Sequence, residues 1–447
     1  MRDIEFGKFL YELRKQNNLT QRYVAYELDV SDKAVSKWES GESKPNVDKL
    51  RKLSVLYNVS LDELVDHHSI RSHKVKITKI VLTGGPCAGK TTAQSWIMNY
   101  FTNKGYKVIF VPETATELIS NGVTPWECKS NYDYQKYQVK LQKIKEEIFE
   151  SAARGMKNTK VLIVCDRGML DNKAYMKDVE FKRLLRELQT NEVKERDSYD
   201  AVFHLVTAAK GKESEYTLSN NGARIESIEE ARALDDKTIS AWTGHPHLRI
   251  IDNSTDFEEK LERLLKEISS FLGEPEPLEI ERKYLIYYPD IKKLESMPNC
   301  TKLEITQTYL KSNDGVERRV RRRGINGNYL YYLTEKRKIS ELKRIETEKR
   351  LTEKEYIDLL GEQDSTLRVI HKTRYCLVYN NQYFEIDVYP QWDNQAIMEI
   401  ELSSEVEEIK VPNFIRVYSD VTNNKEYKNY EMAKEMPQQL ILKKKAH

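Results

Sequence analysis

The sequence lacks paired cysteines, long apolar runs and a strong excess of charge of either sign. Its five cysteines are scattered with no CxxC pair, which supports neither a disulfide framework nor a zinc site. No apolar run approaches the ~18 residues that a membrane span needs. The opening segment MRDIEFGKFL has no basic-then-apolar leader. We therefore expect a cytoplasmic protein without a membrane partner.

The formal net charge of +2 is close to neutral, so any nucleic-acid surface must be local. The 447 residues are enough for about three domains of roughly 150 residues each. Residues 1–66 have the pattern of short helices, and residues 77–270 alternate apolar strand-like runs with long helical patterns. That alternation is typical of an α/β domain with a parallel sheet. Residues 278–440 change to period-two strands, which predicts an antiparallel β domain with flanking helices.

The first domain has the pattern of a helix-turn-helix. Thr20 can cap a helix that runs to about Leu28, and a second helix begins at Ser31. In such a unit the first helix presents the second, whose early residues can reach base edges. A small helical protein-interaction domain is the alternative.

The stretch LTQRYVAYELDVSDKAVSKWESGESKPNVDKLRKLSVLYNVSLDEL resembles the Cro and phage-repressor type of helix-turn-helix family. The resemblance implies DNA as a partner, and a homo-oligomer, because such domains usually bind DNA as dimers. The side chains that it would turn towards DNA are Gln21, Ser31, Asp32, Lys33, Ser36 and Lys37.

The second domain begins with a phosphate-binding motif. GGPCAGKT at 84–91 satisfies GxxxxGK[ST] and lies between the apolar run IVLT and the helical stretch TAQSWIMNYF. Glycines let backbone N–H groups curl around phosphates, Lys90 reaches the β- and γ-phosphates, and Thr91 supplies an oxygen to Mg²⁺. We predict that ATP or GTP binds here. The residues predicted to hold it are Gly84, Gly89, Lys90, Thr91 and Thr92.

Two acids follow strands of the same predicted sheet. Asp166 ends the run VLIVCD and, with Thr91, is predicted to hold the metal. Glu113 ends VIFVPE, where a carboxylate can orient or deprotonate an acceptor hydroxyl, because strand carboxyl ends line the ligand crevice. A solvated loop acid is the alternative for Glu113.

PETATELI, DRGMLDNKAY and NNGARIESIEEARALDDKTISAWTGHPHLRIIDN resemble the P-loop kinase-like family that includes nicotinamide-riboside kinase domains. The resemblance covers about residues 77–270. It implies Glu113 near a nucleoside-like acceptor, and Asp166 with Arg167 near metal and phosphate. It also implies a mobile lid with Arg224 and Arg232, although a surface helix would carry such arginines too. A nucleotide switch without phosphoryl transfer stays open for this domain.

Like charges recur on the strands of the third domain. By the period-two rule, Glu279, Glu281 and Lys283 of LEIERKYLI share one face. For any single strand, a solvated polar face is the simpler interpretation. Like charges ~4 Å apart, however, repel by roughly 4 kcal/mol at an effective dielectric near 20. The other strands group bases or acids in the same way: Arg319, Arg321 and Arg323; Lys336; Glu346 and Glu348; Lys372 and Arg374; Glu385 and Asp387; Glu399 and Glu401.

A polyphosphate would neutralise the bases, and Mg²⁺ or Mn²⁺, which prefer oxygen ligands, would neutralise the acids. ExExK at 279–283 and the later strands resemble the CYTH, or triphosphate tunnel, family over about residues 278–440. The resemblance implies a closed antiparallel β-barrel that hydrolyses a triphosphate or, in some members, cyclises ATP.

By the same resemblance the site residues form three groups. The metal ligands would be Glu279, Glu281, Glu399 and Glu401. The phosphate-binding residues would be Lys283, Arg319, Arg321, Lys336 and Arg374, with the register leaving Arg323 and Lys372 open. Lys425, in VTNNKEYKNYEMA, falls near the family's late basic position and is predicted to be catalytic.

Taken together, the sequence predicts a bifunctional protein with a metal-dependent triphosphatase domain, an ATP-binding kinase-like domain and a DNA-binding domain. The alternative is a DNA-binding transcriptional regulator that senses ATP and a phosphorylated ligand with little turnover.

Overall fold

A computed structural model describes residues 3–17, 19–57, 75–158, 160–216, 226–274, 280–312, 316–338, 344–402 and 407–439. The chain forms two compact units, which are residues 1–76 with 155–160 and residues 77–154 with 161–447. None of the helices in the described ranges has both the length and the apolar character that a membrane span requires. Predicted positions Arg224 and Glu279 lie outside the described residues.

The first unit contains the predicted helix-turn-helix. Its helices are α1 (Ile4–Gln16), α2 (Gln21–Leu28), α3 (Asp32–Glu39) and α4 (Val47–Tyr57). Thr20 caps α2 by accepting a hydrogen bond from the Tyr23 amide, and Asp29 ends it in the left-handed conformation with φ 53°. Ser31 caps α3 in the same manner. The turn therefore forms where the capping residues predict it. The buried core is shared by all four helices: Phe6, Leu10, Leu13, Val24, Leu28, Val35, Trp38 and Leu53.

The second unit begins with a five-stranded sheet in the order β2-β3-β1-β4-β5, and its β2–β3, β1–β4 and β4–β5 pairings are parallel. The strand order turns at β1, which creates a ligand crevice at the carboxyl ends of the strands. The strands are β1 (Lys76–Thr83), β2 (Lys107–Val111), β3 (Lys160–Asp166), β4 (Ala201–Leu205) and β5 (Leu248–Ile251). The helices are α5 (Lys90–Asn103), α6 (Thr114–Ser120), α7 (Asn131–Arg154), α8 (Asp178–Glu187), α9 (Glu192–Arg196), α10 (Ile228–Trp242) and α11 (Phe257–Leu272).

These strands are apolar along their length because helices cover both faces of a parallel sheet. All five residues of β4 are buried, as are four residues in a row at the end of β1. We call the sheet and its helices the P-loop domain. The fold class predicted for this region is confirmed.

The rest of the second unit is a nine-stranded sheet in the order β10-β9-β8-β7-β11-β12-β13-β6-β14, and its described pairings are all antiparallel. The strands are β6 (Ile280–Tyr287), β7 (Cys300–Leu310), β8 (Val316–Ile325), β9 (Asn328–Lys338), β10 (Arg344–Leu351), β11 (Ile370–Tyr379), β12 (Gln382–Val388), β13 (Gln395–Leu402) and β14 (Val417–Asp420). The flanking helices are α12 (Ile291–Ser296), α13 (Glu353–Leu360) and α14 (Asn429–Lys434). We call this region the antiparallel domain.

The antiparallel sheet is strongly curved. In a flat sheet the six strand spacings from β10 to β13 would separate the two strands by about 29 Å. Burial lowers the pKa of His247, whereas the charges of Glu401 on β13 and Glu348 on β10 both act to raise it. Two carboxylates can act on one imidazole only if the sheet bends the strands around it. The face that carries both glutamates is therefore the concave one.

Candidate functional sites

The phosphate-binding loop follows β1 and depends on two glycines. Gly84 has φ 145°, and a Cβ there would lie 2.1 Å from the carbonyl oxygen of Leu205. Gly89 has φ 90°, and a Cβ there would lie 2.5 Å from the Phe257 ring. A side chain at Gly84 would clash with the backbone of Leu205, and one at Gly89 would displace the Phe257 ring. Both positions also have a positive φ, which favours glycine.

Lys90, the first residue of α5, folds back over this loop. Its Nζ donates to the carbonyl oxygens of Gly84 at 3.2 Å and Gly85 at 3.4 Å. Burial, followed by the charge of Arg167, lowers the pKa of Lys90. Thr91 and Thr92 are exposed in the first turn of α5. The N-terminus of α5, with the exposed hydroxyls of Thr91 and Thr92 and the nearby Lys90 ammonium, is suited to bind a phosphate group.

Acids from two strands meet beside the loop. Asp166 accepts a hydrogen bond at 2.7 Å from Gln94 through Oδ2, while its Oδ1 is buried without a hydrogen bond. Burial is the main reason that the pKa of Asp166 is raised. Glu113 accepts hydrogen bonds from Arg167 and, at 2.6 Å, from Thr116.

The environment of Glu113 limits its chemistry. Burial alone would raise its pKa, but the charges of Arg167 and Lys90 lower the pKa of Glu113 to about 2. Such a carboxylate is ionised at neutral pH and is a weak base. It is therefore suited to orient an acceptor hydroxyl by accepting a hydrogen bond, more than to deprotonate it.

A small pocket lies between β2, β3 and α7. Its lining residues have polar side chains apart from Gly168. Three of its buried polar atoms have no hydrogen bond within the described structure: Thr114 Oγ1, Asp166 Oδ1 and Arg167 Nη1. Buried polar groups are nearly always satisfied, so these atoms indicate that a water molecule or a polar ligand group binds here. The lining residues are Glu113, Thr114, Gln138, Gln142, Asp166, Arg167, Gly168, Asp171, Asn172 and Tyr175.

Asp171 is a pocket residue that the sequence analysis missed. It accepts hydrogen bonds from the Gly168 amide at 2.7 Å, from Trp242 Nε1 at 3.2 Å and from Thr83. It therefore fixes the turn after β3 that presents Arg167. The sequence feature that could have identified Asp171 is its position three residues after Gly168 in DRGMLD, from where its carboxylate can bind the Gly168 amide.

Arg232, predicted on a mobile lid, is engaged elsewhere in this structure. Its Nε donates to the carbonyl oxygen of Ala209 at 2.6 Å, and its Nη2 lies 2.6 Å from Glu213. The side chain thus anchors the loop after β4 and does not reach the phosphate-binding loop.

Acids and bases alternate across the concave face of the antiparallel sheet, which we call the charged face. Lys283 Nζ lies 2.7 Å from Glu399 and 3.5 Å from Glu281. Arg374 binds Asp387 through two nitrogens at 2.7 and 2.6 Å, Glu399 at 3.1 Å, and also Glu385. These pairs connect β6, β13, β12 and β11, so four of the predicted site strands meet at one place.

The bases of β8 and β9 extend this face. Arg321 lies 4.0 Å from Glu348 of β10. Burial, followed by the positive charge of Arg319, lowers the pKa of Arg321. Arg319 is buried and Lys336 is half-buried. Lys372, whose assignment to the phosphate-binding residues the strand register left undecided, is buried and contacts the acid Asp387 of the same sheet.

The predicted metal ligands do not converge in this structure. No three acidic, histidine or cysteine side chains gather around a possible ion within the described ranges. Glu401 is paired with Arg249 of the P-loop domain, and Glu399 with Lys283. Partial burial, followed by the charges of Glu399 and Glu401, raises the pKa of Glu281 to about 7. The charges of Glu399 and Glu401 thus disfavour the charged form of Glu281, and a hard divalent cation would relieve this repulsion.

Arg323 is the second residue whose assignment to the phosphate-binding set the strand register left undecided. It lies where the antiparallel domain contacts the P-loop domain, which we call the junction. It donates to Asp197 at 3.1 Å and to the carbonyl oxygen of Gly244. Arg350 donates to the carbonyl oxygen of Asp197 at 3.2 Å, and Tyr383 to that of His245 at 2.9 Å.

The junction residues lie along one end of the charged face. Four strands each carry one residue that contacts the P-loop domain and, two positions away, one residue of the charged face. Side chains two positions apart on a strand point to the same face of the sheet. The P-loop domain therefore closes one end of the charged face. The pairs are Arg350 and Glu348, Arg323 and Arg321, Tyr383 and Glu385, and Glu401 and Glu399.

Lys425 is exposed in a 3₁₀ turn (Lys425–Tyr427). Its side chain forms no ion pair with the acids of the charged face in the residues that the structure describes. The segment before Lys425 lies beside β6, because the Val421 amide donates to the Lys283 carbonyl oxygen at 2.8 Å and the Lys283 amide to Thr422 Oγ1 at 3.0 Å.

In the helix-turn-helix, most of the predicted DNA-facing residues share the exposed side of α3. Lys33, Ser36 and Lys37 are exposed at helical spacing, and Val35 and Trp38 are buried on the opposite side. Gln21 donates to Glu39 at 2.7 Å. The exposed set presents two lysines and a hydroxyl on one helix face, with Ser31 at its N-cap and Asp32 beside it.

Comparisons with known proteins identify two of the three regions. Residues 79–260 match a family model described as an AAA domain, and residues 10–64 match a helix-turn-helix model. The transcriptional activator BcrR of Enterococcus faecalis is 45% identical over 62 residues, which cover 14% of this chain and 30% of that protein. The regulator ImmR of Bacillus subtilis is 39% identical over 62 residues, covering 14% and 49%. The chain thus spans about a third and about half of these curated relatives.

Among solved structures, the inorganic triphosphatase NE1496 is 27% identical over 36% of this chain and 97% of its own, with a TM-score of 0.26. A transcriptional regulator from Listeria innocua is 36% identical over 13% of this chain and 55% of its own, with a TM-score of 0.13. The chain is a multidomain protein that carries a helix-turn-helix domain and an AAA-type P-loop domain. The antiparallel domain follows these two domains in the sequence, and its sheet is antiparallel, as the period-two pattern predicts.

Proposed function

We propose that the antiparallel domain is a metal-dependent triphosphatase and that the P-loop domain is an ATP-dependent kinase-like domain. The observation that carries the first part is the pairing of Lys283 and Arg374 with Glu399, Glu385 and Asp387 on one concave face. Each base already has an acid as partner, so a ligand must offer both charges. A triphosphate with its divalent cation does so, because its oxygens replace the acids and its cation replaces the bases.

The proposed roles follow the placement of the side chains. Lys283, Arg319, Arg321, Lys336 and Arg374 bind phosphate oxygens, and arginine suits this role because its planar fork binds two oxygens at once. Glu281, Glu399 and Glu401, with Glu279, hold Mg²⁺ or Mn²⁺. When bound, such an ion supplies charge neutralisation and a more acidic water. Lys425 stays a predicted catalytic residue without structural support.

In the P-loop domain, ATP or GTP would bind through Gly84, Gly89, Lys90, Thr91 and Thr92, and Thr91 and Asp166 would hold its Mg²⁺. Glu113 and Arg167 line the adjoining polar pocket, which supports a small, polar acceptor there. Arg232 would have to leave Glu213 to reach the nucleotide, and Arg224 is its predicted partner on the lid. The choice of acceptor rests on the lining alone.

For the first unit we propose DNA binding as a homo-oligomer in the cytoplasm, through Gln21, Ser31, Lys33, Ser36 and Lys37. The 45% identity to a transcriptional activator over this region supports a second candidate function for the whole chain. In that candidate the chain is a regulator that senses ATP and a triphosphate with little turnover.

Replacing one carboxylate tests the triphosphatase. We expect Glu281→Gln to abolish metal-dependent phosphate release from tripolyphosphate and to leave ATP binding at the P-loop unchanged. Glu295→Gln is the matched control, because Glu295 pairs with Lys302 outside the charged face and should keep full activity. Equal phosphate release by wild type and Glu281→Gln would remove the charged face from the reaction.

A second variant separates the two domains. Lys90→Ala should abolish ATP binding while tripolyphosphate hydrolysis persists, as measured by calorimetry and by product mass. DNA affinity that changes with ATP or tripolyphosphate would favour the regulator. Ligand-independent affinity would count against it.

A further inference from the structure

Asp235 on α10 is the centre of a buried hydrogen-bond cluster behind the phosphate-binding loop. Its Oδ1 accepts from the Gly85 amide at 2.9 Å and from the Thr207 amide at 3.2 Å, and lies 3.0 Å from His204 Nε2. Its Oδ2 accepts from Lys210 Nζ at 2.8 Å. The Asp235 side chain is completely buried. One carboxylate thus joins the phosphate-binding loop, β4, the loop after β4 and α10.

Two further contacts hold the loop from the same side. Thr207 Oγ1 donates to the carbonyl oxygen of Pro86, and the buried Lys260 Nζ donates to that of Ala88 at 3.3 Å. One backbone group each of Gly85, Pro86 and Ala88 is therefore held by a side chain from outside the loop. A loop fixed in this way keeps its remaining amides aimed at a phosphate without reordering on binding, and that preorganisation favours affinity.

We propose that Asp235 is a positioning residue of the nucleotide site. It holds the phosphate-binding loop in its binding conformation and ties the loop to α10, the helix that carries Arg232. The inference rests on the proposed nucleotide binding and extends it to a residue outside the motif.

The chemistry of the cluster requires a carboxylate. Both oxygens of Asp235 accept hydrogen bonds, and together they face four donors. An asparagine amide accepts through one oxygen only, and its NH₂ group would face either the two backbone amides or the Lys210 ammonium. In the first orientation the buried Gly85 and Thr207 amides lose their acceptor. In the second, the NH₂ group and the half-buried Lys210 ammonium face each other as two donors, and of its two described acidic partners Lys210 keeps only Asp236. His204 depends on the same contact, because its Nδ1 is buried without a hydrogen bond in the described part of the chain.

The test compares neighbouring aspartates in the full-length protein. We expect Asp235→Asn to raise the ATP dissociation constant by roughly ten- to a hundredfold, as measured by calorimetry well below the unfolding temperature. Asp236→Asn is the matched control, because Asp236 also pairs with Lys210 at 2.7 Å but is 59% exposed. It should bind ATP as wild type does. A residue that only stabilises the fold would lower the unfolding temperature and leave the dissociation constant unchanged, which would overturn the inference.

A second variant keeps the inference testable if Asp235→Asn fails to fold. Lys210→Met removes the donor to Oδ2 alone and should weaken ATP binding by a smaller factor, roughly threefold to tenfold. Unchanged affinity in Lys210→Met would then refute the cluster's role. If the wild type itself binds neither ATP nor GTP, the proposed nucleotide site fails. If the wild type binds and Asp235→Asn binds equally well, only the positioning role fails.

Discussion

A buried carboxylate, Asp197, lies at the junction between the two sheets of the second unit. Asp197, whose side chain is 1% exposed, accepts from Arg196 Nε at 2.6 Å and from Arg323 of β8 at 3.1 Å. Burial alone would raise its pKa, but the charges of Arg196 and Arg323 hold the pKa of Asp197 below its usual value. We therefore choose Asp197→Asn as the perturbation, because it removes the charge and keeps the shape.

The expected cost follows from what the substitution leaves behind. Two buried guanidinium groups would face each other without an acid, and breaking a buried pair in this way costs about 3–5 kcal/mol. Glu192→Gln is the control at the other end of α9, the short helix that Asp197 caps. Its partner Lys173 lies 2.8 Å away and the two side chains are 35% and 26% exposed, so the loss should be below about 1 kcal/mol.

Hydrogen exchange followed by mass spectrometry measures the effect locally, which suits a chain of several domains better than one unfolding temperature. In Asp197→Asn, amides of α9 and β8 should exchange roughly 100- to 4,000-fold faster, and Glu192→Gln should change them by less than about tenfold. Because Arg323 lies on β8, both domains must respond. Faster exchange in α9 with unchanged exchange in β8 would refute the reasoning.

Three further predictions concern other parts of the chain. Burial lowers the pKa of His245 to about 3. Below about pH 6.5 the His245 imidazole is therefore protonated in the unfolded chain but stays neutral in the folded chain. The free energy of unfolding should then decrease by about 1.4 kcal/mol for each unit by which the pH is lowered. Denaturant titrations at about pH 7 and pH 5 should show about 2 kcal/mol less loss in His245→Gln, and an equal loss would contradict this. Lys33→Ala and Lys37→Ala should each reduce the salt slope of DNA binding by about one, and unchanged slopes would exclude phosphate contacts by α3. Arg249→Met should tighten Mn²⁺ binding, measured by electron paramagnetic resonance, by roughly two- to fivefold, and weaker binding would mean that Arg249 assists the ion.

The parts of the fold that could be predicted are those with a local signal. The phosphate-binding loop is contiguous in sequence, and its glycines Gly84 and Gly89 both adopt a positive φ. Period two correctly placed Arg319 and Arg321 on one face, because the alternation belongs to the strand itself. The helix-turn-helix was likewise fixed by caps within a few residues of each turn.

What the sequence could not supply is the partner of each charge. Arg323 and Arg321 are two residues apart on one face, yet Arg323 binds Asp197, which lies 126 residues away in the P-loop domain. Lys372 contacts Asp387 only because the strand order places β12 beside β11. Asp235 lies in a helical segment whose local pattern gives no reason for its burial. Each of these contacts is set by strand order and domain docking, which a local pattern does not contain.

The pairing of Arg249 with Glu401 gives the junction a consequence for both proposed sites. Arg249 lies on β5 and pairs with Glu401. Asn253, which follows β5, accepts a hydrogen bond from Lys260, and Lys260 also donates to the Ala88 carbonyl oxygen of the phosphate-binding loop. An ion that takes Glu401 must compete with Arg249, so binding on the charged face weakens this contact between the domains. Linkage requires the reverse as well, because any change that strengthens the contact must weaken ion binding by the same factor. The affinity of Arg249→Met for Mn²⁺, compared with that of the wild type, therefore measures how strongly the Arg249 contact opposes the proposed ion binding at Glu401.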